Sequence, residues 1–278
     1  MFKAGFVAVV GLPNAGKSSL VNALVGQKVA IISSKPQTTR DNILGIINGD
    51  DYQIVLVDTP GVHHSKNALD KAMMKNVRSA VNGVDLILYL IDGTTLPSEE
   101  ERQYIEHLTL PTKVIKTKID LKNLKNFDCD LEVSSRTGEN IDKLKQLILE
   151  YMPSYNEEHY IYDKDYYTDK SVKFLIAEEI REKALNILHQ EVPHGIAVEI
   201  IRFYEEENIV HIDADIICEN DRHKGMIIGK GGQVLKKIGM EARLFAEQLL
   251  DKKVMLKIFV RVEKDWRNKP DKIKSLGY

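Results

Sequence analysis

The chain has 278 residues, 43% hydrophobic and 29% charged, which is enough for two ordinary soluble domains. No apolar run approaches the roughly 20 residues of a membrane span, and Met1-Phe2-Lys3 leads straight into a strand, so neither a span nor a signal peptide is expected. The net charge of −2 conceals an asymmetry: residues 221–278 hold 15 Lys and Arg against 7 Asp and Glu, a balance of +8, and the first 220 residues carry −10.

Phe6-Val7-Ala8-Val9-Val10 reads as a buried strand over 6–10, and 17–25 reads as a helix. Between them, Gly11-Leu12-Pro13-Asn14-Ala15-Gly16-Lys17-Ser18 fits G-x-x-x-x-G-K-S/T without a mismatch. In that strand–loop–helix context the loop's backbone N–H groups and the positive end of the helix dipole receive phosphates. Lys17 is expected to reach the β- and γ-phosphates and the Ser18 hydroxyl to hold Mg²⁺. Gln37-Thr38-Thr39-Arg40 lies in a polar loop, where a threonine such as Thr39 caps Mg²⁺ only when a γ-phosphate is present. Residues 43–48 read as an antiparallel edge strand.

A strand over 54–57 ends in Asp58-Thr59-Pro60-Gly61. Asp58 is placed to orient Mg²⁺ through a water, and the Gly61 N–H to meet a γ-phosphate. Many hydrolases of this type carry a Gln directly after such a motif to orient water; here the position is Val62, followed by His63 and His64, which read as solvated or structural loop histidines, with substitution for that Gln as the alternative. Arg40, beside Thr39, reads as a loop-positioning residue, with a cis arginine finger as the alternative. Then come a helix over 69–80, a strand over 85–91, a helix over 98–107 and a strand over 112–116 that runs into Thr117-Lys118-Ile119-Asp120. The Asp120 carboxylate can accept from the N1 and N2 donors of guanine; adenine lacks that pair, and a site built on such bonds discriminates by about 10⁴-fold or more. This disfavours an ATP-driven remodeller. A strand over 130–133 leads into Ser134-Ser135-Arg136, which can offer a backbone N–H to guanine O6, and a helix spans 140–151.

Strands interleaved with helices predict an α/β domain over 1–152 with a mostly parallel sheet covered on both faces, and every motif falls at a strand's C-terminal end. Residues 153–170 form an acidic boundary; six of the eleven tyrosines lie between 151 and 167, too aromatic for a free linker, so it is expected to pack on one or both domains. The second domain, 171–278, reads as a helix near 172–188, strands at 196–203 and 209–217, a glycine-rich stretch, a helix at 233–250 and a strand at 254–262. Gly229-Lys230-Gly231-Gly232, preceded by Ile227 and Ile228, is a Gly-x-x-Gly loop expected between two short helices, where bare glycines admit an RNA backbone and Lys230 supplies charge. Cys129 and Cys218 fall in different domains and read as free thiols of a reducing compartment.

Lys35-Pro36-Gln37-Thr38-Thr39-Arg40, Asp58-Thr59-Pro60-Gly61-Val62-His63 and the ending Val262-Glu263-Lys264-Asp265-Trp266-Arg267 resemble translation-factor-type GTPases, and within them the Era-type ribosome-assembly family. The resemblance covers essentially the whole chain and implies a P-loop GTPase domain followed by a prokaryotic-type KH domain (α+β). It implies GTP or GDP and Mg²⁺ as ligands, the 3′ end of small-subunit ribosomal RNA and the small subunit as partners, and a monomer. It places the protein in the cytoplasm, with weak association at the inner face of the cell membrane left open. It also gives Asn14 a second role: relatives with Asn there bind a potassium ion that supplies an arginine finger's charge, against Asn14 as a plain turn residue. Two departures stand out. The base-reading motif opens with Thr117 instead of Asn, and the last motif reads Ser134-Ser135-Arg136 instead of Ser-Ala-Lys. Both are expected to lower affinity more than to change the base. An alternative of another class is an RNA-binding protein whose nucleotide is a structural ligand only.

Overall fold

The computed structural model describes every residue except 34, 36, 37, 63–66 and 189–194. The expectations for Gln37, His63 and His64 therefore lie outside the described residues. The chain forms two compact units, one of Met1–Ala30, Thr39–His64 and Met73–Asp169, the other of Ile31–Thr38, Ser65–Ala72 and Lys170–Tyr278.

The first unit runs β1 (Phe2–Gly11), α1 (Lys17–Val25), β2 (Ile43–Asn48), β3 (Tyr52–Asp58), α2 (Ala68–Ala80, whose first turn clusters with the other unit), β4 (Leu86–Asp92), α3 (Glu99–Glu106), β5 (Thr112–Thr117), β6 (Leu131–Glu132), α4 (Ile141–Tyr151) and β7 (Ser154–Tyr155). Its sheet has the order β2-β3-β1-β4-β5-β6. Strands β3, β1, β4, β5 and β6 are parallel, and β2 pairs antiparallel with β3. A parallel sheet needs both faces covered, and the side chains show it. Val7 and Val9 enter one core with Leu20, Val21 and Leu24 of α1 and Leu144 and Ile148 of α4. Ala8 and Val10 enter a second core with Val77 of α2 and Ile87, Tyr89 and Ile91 of β4. The two-residue period of a strand separates the faces. At the head of α3, Ser98 and Glu101 form a reciprocal capping box, which sets where that helix begins.

Several boundaries differ from those expected. β1 starts at Phe2 because its first residues pair with β3 on one side and with Tyr155 and Ser154 on the other. β6 keeps only two residues. The tyrosine-rich stretch packs on the first unit: β7 pairs antiparallel with β1, and the Tyr160 ring lies 4.6 Å from that of Phe2. The buried Gln53 amide accepts from the N–H groups of Ile161 and Tyr162 and donates to the Tyr162 carbonyl. Ile46 N–H donates to the Tyr167 carbonyl, so the stretch covers the edge of β2 that would otherwise present unpaired backbone.

The second unit runs α5 (Val172–Ile187), β8 (Ala197–Glu205), β9 (Ile209–Cys218), α6 (Asp221–Ile228), α7 (Gln233–Leu250), β10 (Lys253–Val262) and α8 (Pro270–Ser275). Its sheet has the order β10-β9-β8, parallel between β10 and β9 and antiparallel between β9 and β8. Alternate residues Val210, Ile212, Ala214 and Ile216 of β9 face Ile176, Ile180 and Ala184 of α5 and Ile238, Ala242 and Ala246 of α7. The four-residue spacing and small alanines of α7 let the helix lie close to its neighbours. Ile31 belongs to the same core. Arg181, fully buried, donates to the Glu178 carboxylate and to the Thr38 carbonyl, while Glu182 accepts from Ile32 N–H. Trp266 and α8 had no counterpart in the sequence-derived elements. Trp266 is fully buried and donates to the Gly195 carbonyl, and Arg267 makes a forked pair with Glu219, so this part of the ending motif carries the fold.

Candidate functional site

The phosphate-loop residues follow β1 at the sheet's C-terminal edge. The loop's path is set by its backbone: Asn14 has φ 66° and Gly16 φ 92°, and Ala15 N–H donates to the Leu12 carbonyl. Lys17 opens α1 with its ammonium buried, donating to the carbonyls of Gly11 at 3.0 Å and Leu12 at 2.8 Å. Burial lowers its pKa to about 8, against the attraction of Asp58. A cation held by two neutral carbonyls is under-compensated, and an arriving phosphate would supply the missing charge.

Next to it, Ser18 Oγ donates to Asp58 Oδ2 at 2.7 Å and lies 2.8 Å from Thr39 Oγ1. The other carboxylate oxygen, Asp58 Oδ1, is buried with no hydrogen-bond partner among the described residues. Burial raises the Asp58 pKa to about 6, opposed by the Ser18 hydrogen bond and by Lys17. Two hydroxyls and a buried carboxylate with an orphaned oxygen are a hard, all-oxygen donor set of the kind Mg²⁺ takes alongside nucleotide phosphates. The residues present fit that ion.

Gly61 lies flat on the phosphate loop. A Cβ there would stand 2.7 Å from Pro13 N and 2.8 Å from Pro13 Cα, so only glycine permits the approach. The Val62 N–H donates to the Gly11 carbonyl and the Thr59 hydroxyl to the Val9 carbonyl, fastening the Asp58–Val62 segment, with buried Pro60, to β1 and the loop. Arg40 is also buried.

Thr117 closes the same region from the other side. Its hydroxyl lies 2.8 Å from the Ala15 carbonyl and 3.1 Å from that of Ile91, and its single proton serves one at a time. The residue that departs from Asn thus still ties the phosphate loop to β4 and β5. Lys118, with φ 59°, pairs with Asp92 at 2.6 Å. Asp120 Oδ1 accepts from Ser134 Oγ at 2.6 Å, and Oδ2 takes the Arg136 guanidinium. These bonds, that from Ser134 foremost, hold the Asp120 pKa below the usual carboxylate value. Ser134 N–H is spent on the Glu139 carbonyl, whereas Ser135 N–H makes no hydrogen bond among the described residues. Of the two serines, Ser135 has the backbone donor to spare.

In the second unit, α6 ends at Ile228; Ile227 is fully buried and Ile228 half-buried. Gly229 has φ 72°, and a Cβ there would meet Val234 at 2.4 Å. Lys230–Gly232 form one 3-10 turn before α7. Gly231 has φ 61° with nothing within 4 Å of a Cβ position. The helix that follows the loop, α7, spans Gln233–Leu250, the range expected from the sequence, and its 18 residues exceed the short helix of a typical Gly-x-x-Gly unit. Its length carries the surface beyond the loop: a groove of about 390 Å³ is lined by Gly232, Lys236, Met240 and Arg243 from the loop and α7, and by Leu256 and Ile258 from β10. Apart from Gly232, none of these residues was singled out from the sequence. Lys236, Met240 and Arg243 at helical spacing, with Met240 and Leu244 exposed on an otherwise amphipathic helix, were the available signal.

Comparison with known proteins agrees with this geometry. Residues 6–119 match the model of a 50S ribosome-binding GTPase, and residues 191–267 match a KH domain. The chain is 45% identical to GTPase Era of Clostridium acetobutylicum, over all of this chain and 98% of that protein. It is 44% identical to GTPase Era of Clostridium botulinum strain Alaska E43, over all of this chain and 99% of that protein. Among solved structures it is similar to Era in complex with MgGDPNP and nucleotides 1506–1542 of 16S ribosomal RNA, with TM-score 0.93, 34% identity and coverage of 100% of this chain and 99% of that one. It is similar also to a point variant of Aquifex aeolicus Era bound to GDP·AlF4⁻, with TM-score 0.92, 35% identity and the same coverage. With relatives this alike from end to end, and a phosphate loop joined to a Gly-x-x-Gly unit in one polypeptide, the chain belongs to the Era family of GTPases.

Proposed function

We propose that this GTPase is a nucleotide-controlled switch that binds the 3′ end of small-subunit ribosomal RNA and acts in assembly of the small subunit. The observation that carries the reading is the joining of two sites in one chain. A buried Lys17–Ser18–Thr39–Asp58 cluster is built for phosphate and a divalent cation, and an open Gly-x-x-Gly loop with a basic groove is built for a single strand. The structure with 16S ribosomal RNA nucleotides 1506–1542 is that of a relative matching the whole chain.

Within this reading Lys17 leaves the Gly11 and Leu12 carbonyls for the β- and γ-phosphates. Mg²⁺, when bound, neutralises charge on the transferring group and polarises it. Ser18, Asp58 and Thr39 are the residues that would hold it. Gly61 presents its N–H toward the γ-phosphate, and Asp120 with Ser135 N–H reads the guanine edge. Asn14, at the lip of the loop, takes a potassium ion beside the phosphates. Val62 leaves no hydrogen-bonding side chain for the attacking water, so basal turnover is slow. The described residues of loops 33–42 and 58–68, Thr39 and Gly61 among them, close around the γ-phosphate. The site residue Thr39 is bonded directly to Thr38, whose carbonyl Arg181 holds within the RNA-binding unit. The protein acts as a cytoplasmic monomer. A weak peripheral association with the inner face of the cell membrane is part of this proposal; among the described residues no helix is long and apolar enough to cross a membrane.

The test is the affinity of a fluorescent single-stranded RNA of the small-subunit 3′ end for protein loaded with a non-hydrolysable GTP analogue or with GDP. A difference of about ten-fold or more supports the switch. Equal affinities would leave the nucleotide as a structural ligand.

A further inference from the structure

We propose that Arg136 is a built-in competitor for the guanine edge, setting how tightly and how fast this GTPase takes up nucleotide. The inference rests on Asp120 being the guanine reader. The Asp120 side chain sits in a recess, 9% exposed, with one oxygen satisfied by Ser134 Oγ. The Arg136 guanidinium, 69% exposed, covers the other oxygen.

A guanidinium presents coplanar N–H donors to a carboxylate, the pattern that guanine presents through N1–H and N2–H₂. Both are planar forks and both need the carboxylate's in-plane lone pairs. Ser134 takes one lone pair of Oδ1 and the Arg136 head group covers Oδ2, so the oxygen that guanine's second donor needs is blocked while the arginine stays in place. Arg136 must leave Oδ2 before guanine seats. The two side chains differ in depth. Asp120 is held by Ser134 in the recess, whereas Arg136 hangs from an exposed turn between Ser135 and Thr137, and Asp120 is the one ion-pair partner of its head group among the described residues. The arginine is therefore the part that swings away. A residue that keeps the binding-competent state fractionally populated lowers apparent affinity by that fraction.

The test measures binding of a fluorescent GDP analogue, at equilibrium and by stopped flow, to the full-length protein and to Arg136→Ala and Arg136→Lys. An exposed ion pair of this kind is worth a factor of about three, so Arg136→Ala should bind about three-fold tighter, mainly through faster association. Arg136→Lys should fall between it and the wild type. Raising salt from about 0.1 to 0.5 M should narrow the gap, because screening frees Asp120 in the wild type and has no pair to weaken in Arg136→Ala. Unchanged or weaker binding by Arg136→Ala, with the wild type binding normally, overturns the inference and leaves Asp120 as the reader. A wild type that binds no guanine nucleotide overturns the proposed guanine site and this inference with it.

Discussion

The two glycine-rich loops use the same residue for opposite ends. In Gly11–Ser18 the glycines let chain segments close on each other: Gly61 lies on Pro13, Lys17 is buried beneath the loop, and Thr117 reaches across to Ala15. In Gly229–Gly232 they keep space open, and nothing lies within 4 Å of a Cβ at Gly231 or Gly232. The first loop is enclosed by its own protein, so its charges are desolvated and their pKa values move, that of Lys17 to about 8 and that of Asp58 to about 6. The second faces solvent. An anion site that stabilises a transition state gains from preorganised, desolvated donors. A clamp on a polymer backbone gains from access and from charge that counterions can leave.

The largest expected effect breaks the enclosed loop. Lys17→Ala should lower GTP turnover by at least about 100-fold, because a charge-assisted donor to the phosphates is lost from a desolvated site. Phosphate release under saturating GTP measures it, and turnover at the wild-type rate would rule out the phosphate-loop assignment.

The next effect breaks the open loop alone. Replacing Lys230 and Gly231 with aspartates should weaken single-stranded RNA binding by about 100-fold through like-charge repulsion and a side chain set where the RNA backbone approaches. GTP binding and the circular dichroism spectrum should stay as in the wild type, since Asp tolerates the φ of 61° at Gly231 and no atom lies near the new Cβ. Wild-type affinity should itself fall as salt rises. Retained RNA affinity in the folded double variant would remove the loop from the RNA site.

The smallest effect sharpens the comparison at the rim of the enclosed loop. If Asn14 takes a potassium ion, GTP hydrolysis should be about ten-fold faster in potassium chloride than in sodium chloride at equal ionic strength, and Asn14→Ala should erase the difference. Identical rates in both salts would leave Asn14 as a residue chosen for its left-handed φ of 66°.

What the sequence determined by itself is local. The phosphate loop, Asp58–Gly61 and Gly229–Gly232 are legible because the roles proposed for them depend on backbone conformation and on spacing of a few residues at the end of a strand or the start of a helix. The alternation of strand and helix likewise announces a parallel sheet, since the apolar periods of β1 and β4 admit no one-sided burial. Tertiary structure decided which distant side chains share an atom. Thr117 on Ala15, Arg136 on Asp120 and Trp266 on Gly195 join residues whose meeting depends on sheet register, on turn geometry and on how helices lie across the sheets. The groove is the plainest case. Met240 on α7 and Ile258 on β10 line one surface because β10 returns parallel to β9 with Ile258 opposite Ala214. A strand's register follows from the sum of its hydrogen bonds and buried side chains, not from any short motif, so no local pattern in the chain could have written that surface down.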